Sequence, residues 1–207
     1  NQPIGLKKYN AAMVFNGEIY NYKTLKEKLK SYPFEGNYKK WISSSDTEVL
    51  LRFYLNSIRS GYSIENILNQ LNGIFTFALF DLIKKELFIA RDAFGVKPLY
   101  YICKEGRFYF ASEIKALLKM LPDKDLIKDD IENYDIKSIN RYLTYLWNPG
   151  IGTPIKIINK LGPGEYLKVK KGRIIEYKKW YKYPNLNNQF SSKSFHQISE
   201  NLITKIR

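Results

Sequence analysis

The chain has 207 residues, 44% of them hydrophobic, and a formal charge of +14. That is about one to one and a half domains with enough apolar content for a packed core, which excludes a disordered chain, and no apolar run approaches the roughly 20 residues that span a bilayer. The charge invites a nucleic-acid surface, but the lysines fall in scattered pairs such as Lys7-Lys8, Lys39-Lys40 and Lys84-Lys85, with no RNP, zinc-knuckle or helix-turn-helix pattern, so composition is the simpler account.

In chain order, Ala11–Phe15 is an apolar run that predicts a buried strand. Asn16-Gly17-Glu18 follows as a loop at its end, where glycine lets the backbone turn tightly or approach a ligand. Leu25, Leu29 and Tyr32 recur at helical spacing behind Asn21, a candidate N-cap. Residues 32–44 are polar and read as a variable loop. Ser45-Asp46-Thr47-Glu48 has the form of a capping box. It precedes a helix with Val49, Leu50, Phe53, Tyr54 and Ile58 on its apolar face and Gly61 at its end.

A short helix is expected over 64–71. A strand from Gly73 to Ile83 is apolar on both faces, and so belongs inside a sheet. Leu87–Ala90, Leu99–Cys103 and Arg107–Ala111 continue it as an antiparallel meander, interrupted by the loop Arg91–Pro98. Ser112 should cap a helix over 113–120, and residues 136–147 form another. Breakers at 148–150 and 162–164 flank a short strand, and 166–169 with 174–177 make a hairpin around Lys171-Gly172. A polar linker over 183–192 leads to a last helix with Phe195, Ile198, Leu202 and Ile206 on one face. Antiparallel strands with helices on their outer faces make this an α+β fold.

The one cysteine, Cys103, permits no internal disulfide, fits a reducing, cytoplasmic setting, and reads as a core or half-buried thiol. With one histidine as well, His196 in the polar tail, metal sites built on Cys or His clusters are not expected. The chain opens on Asn-Gln-Pro with neither initiator Met nor signal peptide and stops inside its last helix, so it reads as truncated at both ends. Taken singly, Asn16-Gly17 is a turn, Glu18 a solvated acid, Asp46 a first-turn helix acid, and Arg91-Asp92 a structural ion pair bracing its loop.

Taken together, the ordered set is more specific. Phe15-Asn16-Gly17-Glu18-Ile19-Tyr20-Asn21, Ser45-Asp46-Thr47-Glu48-Val49, Leu71-Asn72-Gly73-Ile74-Phe75, Ala90–Tyr101 and Ala111–Lys115 resemble the class II glutamine amidotransferase domain, above all that of glutamine-hydrolysing asparagine synthetases. The resemblance covers about residues 1–182. It implies the four-layered αββα sandwich of the amino-terminal-nucleophile hydrolases, incomplete at its amino end, followed by a linker over 183–194. Residues 195–207 then match the first helix of a synthetase domain.

The chemistry implied is hydrolysis of the glutamine side-chain amide by an amino-terminal cysteine, with its own α-amine as base. By this resemblance Asn16 and Gly17 are oxyanion donors, and Glu18 and Asp46 bind the ammonium of free glutamine. The nucleophilic cysteine and an arginine for the α-carboxylate are absent from the chain and would lie upstream of Asn1, so the chain alone is expected to be inactive. No cofactor or metal is implied here; ATP and Mg would serve the missing synthetase domain, which would amidate aspartate and is the expected partner. The resemblance leaves a homodimer open and implies neither membrane nor nucleic acid. The alternatives are an amidotransferase for another carboxylate, such as a sugar acid, and a non-catalytic scaffold of the same fold.

Overall fold

Gly73–Asp81 (β3) is the strand whose two faces are both apolar, and in a computed structural model of the chain it lies mid-sheet. The structure describes residues 2–6, 9–32, 41–121, 130–183 and 194–206. Ile4–Leu6 (β1) and Ala11–Ile19 (β2) flank β3 on one side. Glu86–Arg91 (β4), Glu165–Lys170 (β8) and Arg173–Lys179 (β9) follow on the other, giving six strands in the order β1-β2-β3-β4-β8-β9, every pair antiparallel. A second sheet runs β6-β5-β7, built from Tyr100–Lys104 (β5), Arg107–Ala111 (β6) and Asn159–Lys160 (β7).

Three apolar clusters define the layers. Tyr22–Leu29 (α1), Asp46–Arg59 (α2) and Ile64–Leu68 (α3) pack Leu25, Leu50, Phe53 and Ile67 against Met13, Phe15, Phe75, Phe77 and Phe88 of the large sheet. Its opposite face meets the small sheet through Ala78, Ile89, Tyr101, Leu167 and Val169, with Val14, Phe108 and Phe110 at the margin. Ile114–Met120 (α4) covers the outside of the small sheet with Leu117 against Ile102 and Ile158. The order helix, sheet, sheet, helix is the αββα sandwich expected from the sequence. Among the described residues, Ile136–Tyr145 (α5) and Phe195–Ile206 (α6) are the remaining α-helices.

Several expectations change. The meander breaks after β4, which pairs β8, while β5 and β6 pair with each other in the second sheet. Asn16-Gly17-Glu18 is not a loop, because β2 continues through it, Asn16 facing Thr76, Gly17 facing Phe75 and Glu18 facing Ile74. The capping box does not close: Ser45 holds the N-cap position without a side-chain cap bond, and Glu48 turns instead toward Ile42 and Ser43. Glu113, not Ser112, occupies the cap position of α4, again without a side-chain bond. Cys103 is exposed, because it lies at the exposed end of β5 with Lys104. The loop expected over 32–44 falls mostly, and the linker over 183–192 almost wholly, outside the described residues.

The β8–β9 hairpin carries an acidic anchor. Glu176 accepts from Lys168 Nζ at 2.7 Å, Tyr166 Oη at 2.6 Å and Lys178 Nζ at 3.0 Å. Lys168 first and Tyr166 next pull its carboxyl from the ordinary 4.5 down to about 2. A depressed folded value means stability that is present above about 4.5 and lost as pH falls through about 2. Glu176→Gln should therefore lower the Tm most above about pH 5, and the difference from the parent should shrink toward zero by about pH 2. Thermal melts across that range check this; a deficit independent of pH would contradict it.

Candidate functional site

The carboxyl end of β2 approaches β3 unusually closely. A Cβ on Gly17, whose φ is +146°, would lie 2.1 Å from the Ile74 carbonyl oxygen, and one on Gly73 would lie 2.1 Å from that of Glu18. No side chain fits at either position, so both glycines are required by the pairing itself.

Backbone alternation then sets what each residue offers. In an antiparallel strand, successive N–H groups point to opposite edges. Tyr20 N–H donates across to Asn72 O at 2.8 Å, on the β3 side. Phe15 and Ile19 point the other way, toward the β1 edge, and side chains meet both. The Gln2 side-chain amide accepts from Phe15 N–H and donates to Phe15 O, each at 2.7 Å, extending β1 by a surrogate pair. Asp46 Oδ2, at the first residue of α2, accepts from Ile19 N–H at 2.9 Å. Gly17 lies midway, and its N–H points off the same edge between two anchored amides.

Side chains alternate as well, so Asn16 and Glu18 share one face. Both are exposed. Asn16 lines a cavity of about 290 Å³ with Gln2, Val14, Thr76, Leu99 and Phe110. A neighbouring cavity of about 300 Å³ shares Val14, Ala78 and Phe110, so space runs between the sheets beside β6. β6 is the edge strand of the small sheet.

Three braces hold this strand end. Asn21 occupies the expected cap position of α1, but its side chain serves the neighbouring loop: Nδ2 donates to Gln70 O at 2.9 Å and Oδ1 accepts from Asn72 N–H at 3.0 Å. Asp92 is buried and accepts from Phe94 and Val96 N–H through Oδ1 and from Phe75 and Lys97 N–H through Oδ2. It thereby ties the loop to the residue facing Gly17. Arg91 donates to the carbonyls of Lys97, Gly95 and Leu161. The expected bracing of this loop is present, but it is carried chiefly by bonds to backbone groups in and beside the loop; Asp92 acts on Arg91 electrostatically, without a direct bond among the described residues.

The structure therefore brings Asn16, Gly17, Glu18 and Asp46 together at the end of β2, with Asp46 reaching them through Ile19. The sequence reading missed Gln2, whose role has no local signal. Asp92 could have been recognised, since an aspartate followed by Ala93-Phe94-Gly95 commonly binds the amides of its own turn. His196 is exposed on α6, 3.7 Å from Glu200 and far along the chain from this cluster. Among the described residues no group of three His, Cys, Asp or Glu is placed to hold a metal ion.

Asp92→Ala would strip four amides of their acceptor and should destabilise the chain by about 3 kcal/mol or more. Asp92→Asn should cost nearly as much, because its NH2 opposes donors. Urea unfolding measures both; a loss below about 1 kcal/mol would remove Asp92 from this bracing role.

Comparison with known proteins bears on what this cluster is. The family model for the glutamine amidotransferase domain matches residues 1–181. Glutamine-hydrolyzing asparagine synthetase 1 of Bacillus subtilis (strain 168) is 33% identical over 181 residues, which is 87% of this chain and 26% of the relative. A putative glutamine-hydrolyzing asparagine synthetase of Methanocaldococcus jannaschii is 38% identical over 137 residues, 66% of this chain and 22% of the relative. The chain thus spans about a quarter of the length of the curated relatives it matches. Among solved structures, glutamine phosphoribosylpyrophosphate amidotransferase from B. subtilis covers 89% of this chain, with 32% of its own length, at a TM-score of 0.53 and 22% identity, a likeness of fold. By sequence and by architecture the chain belongs to the glutamine amidotransferase domain family, with the α+β sandwich of the amino-terminal-nucleophile hydrolases.

Proposed function

We propose that the chain is the glutaminase part of a glutamine-hydrolysing asparagine synthetase, working in the cytoplasm and supplying ammonia for the ATP- and Mg-dependent amidation of aspartate elsewhere in the same polypeptide. The observation that carries this reading is the Gly17 N–H, fixed at an open strand edge between two anchored amides and next to the exposed Asn16 side chain. Two such donors suit an oxygen that gains negative charge during reaction.

In this reading a cysteine thiolate at the amino terminus of the whole protein attacks the side-chain amide carbon of glutamine. The carbonyl oxygen becomes an oxyanion held by Asn16 Nδ2 and Gly17 N–H. Its collapse breaks the C–N bond, releases ammonia with a proton returned from the cysteine's α-ammonium, and leaves a thioester that water hydrolyses to glutamate. The space beside β6, between the two sheets and beside Asn16, supports entry of the segment that carries the cysteine. Glu18 and Asp46 bind the α-ammonium of the substrate and so select free glutamine over a glutamine within a protein. Asp46 suits this because Ile19 occupies Oδ2 while, among the described residues, Oδ1 has only a long contact of 3.5 Å from Thr47.

The greater length of the relatives supports a synthetase partner in the same polypeptide, with residues 183–194 as linker and 195–207 as the first helix of that partner. Exposed Leu143, Leu146 and Trp147 on and after α5 provide apolar surface for it to cover. A different acceptor, such as a sugar acid, would leave every step in this domain unchanged.

In the whole protein, Asn16→Ala should lower glutamine hydrolysis by about a hundredfold or more while changing glutamine affinity little. Steady-state glutaminase assays paired with equilibrium binding test this. An unchanged rate would take Asn16 out of the oxyanion role, and a whole protein without an amino-terminal cysteine would favour the non-catalytic scaffold.

A further inference from the structure

One buried charge pair in this domain has no part in the chemistry just described. Glu48 is fully buried and Arg52, one helical turn later in α2, is 2% exposed, with 2.6 Å between Arg52 Nη2 and Glu48 Oε1. Arg52 Nε reaches the same oxygen at 2.9 Å. A buried pair of this kind is weak evidence for stability, since desolvation offsets much of the attraction, so its other contacts matter more.

Among the described residues, the other bonds of the Glu48 carboxylate lie on the segment that delivers Asp46. The Glu48 carboxylate accepts from Ile42 N–H at 3.0 Å, from Ser43 N–H at 2.6 Å and from Ser43 Oγ at 3.0 Å. Ser43 Oγ in turn lies 2.9 Å from Ser45 Oγ and accepts from Ser45 N–H at 3.3 Å. Trp41, at the start of the same segment, meets two cations, with Arg52 Cζ 4.3 Å and Lys26 Nζ 4.2 Å from its ring centre. Residues 41–45 are therefore wound around one carboxylate, and Asp46 is the next residue. Burial pushes Glu48 up, but the donors of Ile42, Ser43 and Arg52 outweigh it and hold the carboxyl below its ordinary value, so it stays ionised as an acceptor.

We propose that Glu48, fixed by Arg52 and acting through Ser43, is the positioning residue that sets the Asp46 carboxylate against Ile19 N–H and so orients its other oxygen toward the substrate ammonium. Glu48 touches no reacting atom. Its effect on glutamine rests on the reading of Asp46 as an ammonium ligand, whereas its effect on Ile19 does not.

Two measurements on the whole protein separate these. The first is hydrogen exchange by mass spectrometry, comparing the peptide over residues 16–21 with that over residues 75–80. In Glu48→Gln, and more mildly in Ser43→Ala, exchange over 16–21 should quicken by about fivefold or more with the β3 peptide unchanged, because only the Asp46 anchor has loosened. Equal acceleration of both peptides, or no change in a folded Glu48→Gln variant, would overturn the proposal. Ser43→Ala guards against Glu48→Gln failing to fold, since it removes one hydroxyl and leaves the buried pair in place.

The second is the affinity for glutamine relative to glutaramate, which is glutamine without its α-ammonium. Asp46→Asn should cut this preference by about tenfold, and Glu48→Gln and Ser43→Ala by about threefold, with glutaramate affinity unchanged in all three. If Asp46→Asn leaves the preference intact, the ammonium reading fails, whatever hydrogen exchange reports. If Asp46→Asn abolishes it while Glu48→Gln and Ser43→Ala do not, the positioning role alone is lost.

Discussion

The close approach of β2 and β3 at one end is the constraint on which the rest depends. Gly17 and Gly73 lie two registers apart on opposite strands, and each leaves no room for a Cβ against the other strand's carbonyl. With side chains excluded there, the backbone itself is presented at the sheet edge, and backbone groups become the chemical offering. A strand edge normally exposes its amides indiscriminately. Here the Phe15 amide is occupied by Gln2 and that of Ile19 by Asp46, which leaves the Gly17 amide between them as the donor among the described residues of this strand end.

The carboxylates around this edge divide their work by burial. Glu18 is exposed and Asp46 half-buried, and these are the two proposed to meet substrate. Asp92 and Glu48 are buried, and each is saturated with donors from a neighbouring segment: the loop after β4 in one case and the approach to α2 in the other. A buried carboxylate without such donors would be costly. With them, each converts an irregular segment into a fixed one, which is what a site assembled from loops and strand ends needs.

Much of the architecture was legible in the sequence because it rests on apolar periodicity. The double-faced apolar run from Gly73 predicted an interior strand, Lys171-Gly172 predicted a hairpin turn, and both stand. The expected meander held only as far as β4, because β5 and β6 pair in the second sheet. The other failures were local rules that tertiary partners overrode. Ser45 and Glu48 have capping-box spacing, yet Glu48 finds better donors in Ile42, Ser43 and Arg52. Asn21 holds the cap position, yet its amide is claimed by Gln70 and Asn72, about fifty residues later. Asn16-Gly17-Glu18 looked like a loop because its residues have turn chemistry; the partner glycine that lets it remain a strand lies in β3, beyond the reach of any local pattern. Arg91 and Asp92 looked like a pair because they are adjacent and opposite in charge, but adjacent strand-end residues point apart. The candidate site residues were proposed from an ordered resemblance, and the structure places them around one strand end.

The most direct test of the oxyanion account is a crystal structure of the whole protein with the γ-aldehyde analogue of glutamine bound, whose adduct with a cysteine thiol mimics the tetrahedral intermediate. The account requires the adduct oxygen to lie within about 3 Å of both Asn16 Nδ2 and Gly17 N. It also requires the α-ammonium to meet Glu18 and Asp46. An adduct oxygen directed to solvent or to other donors, with Gly17 N–H unused, would contradict it.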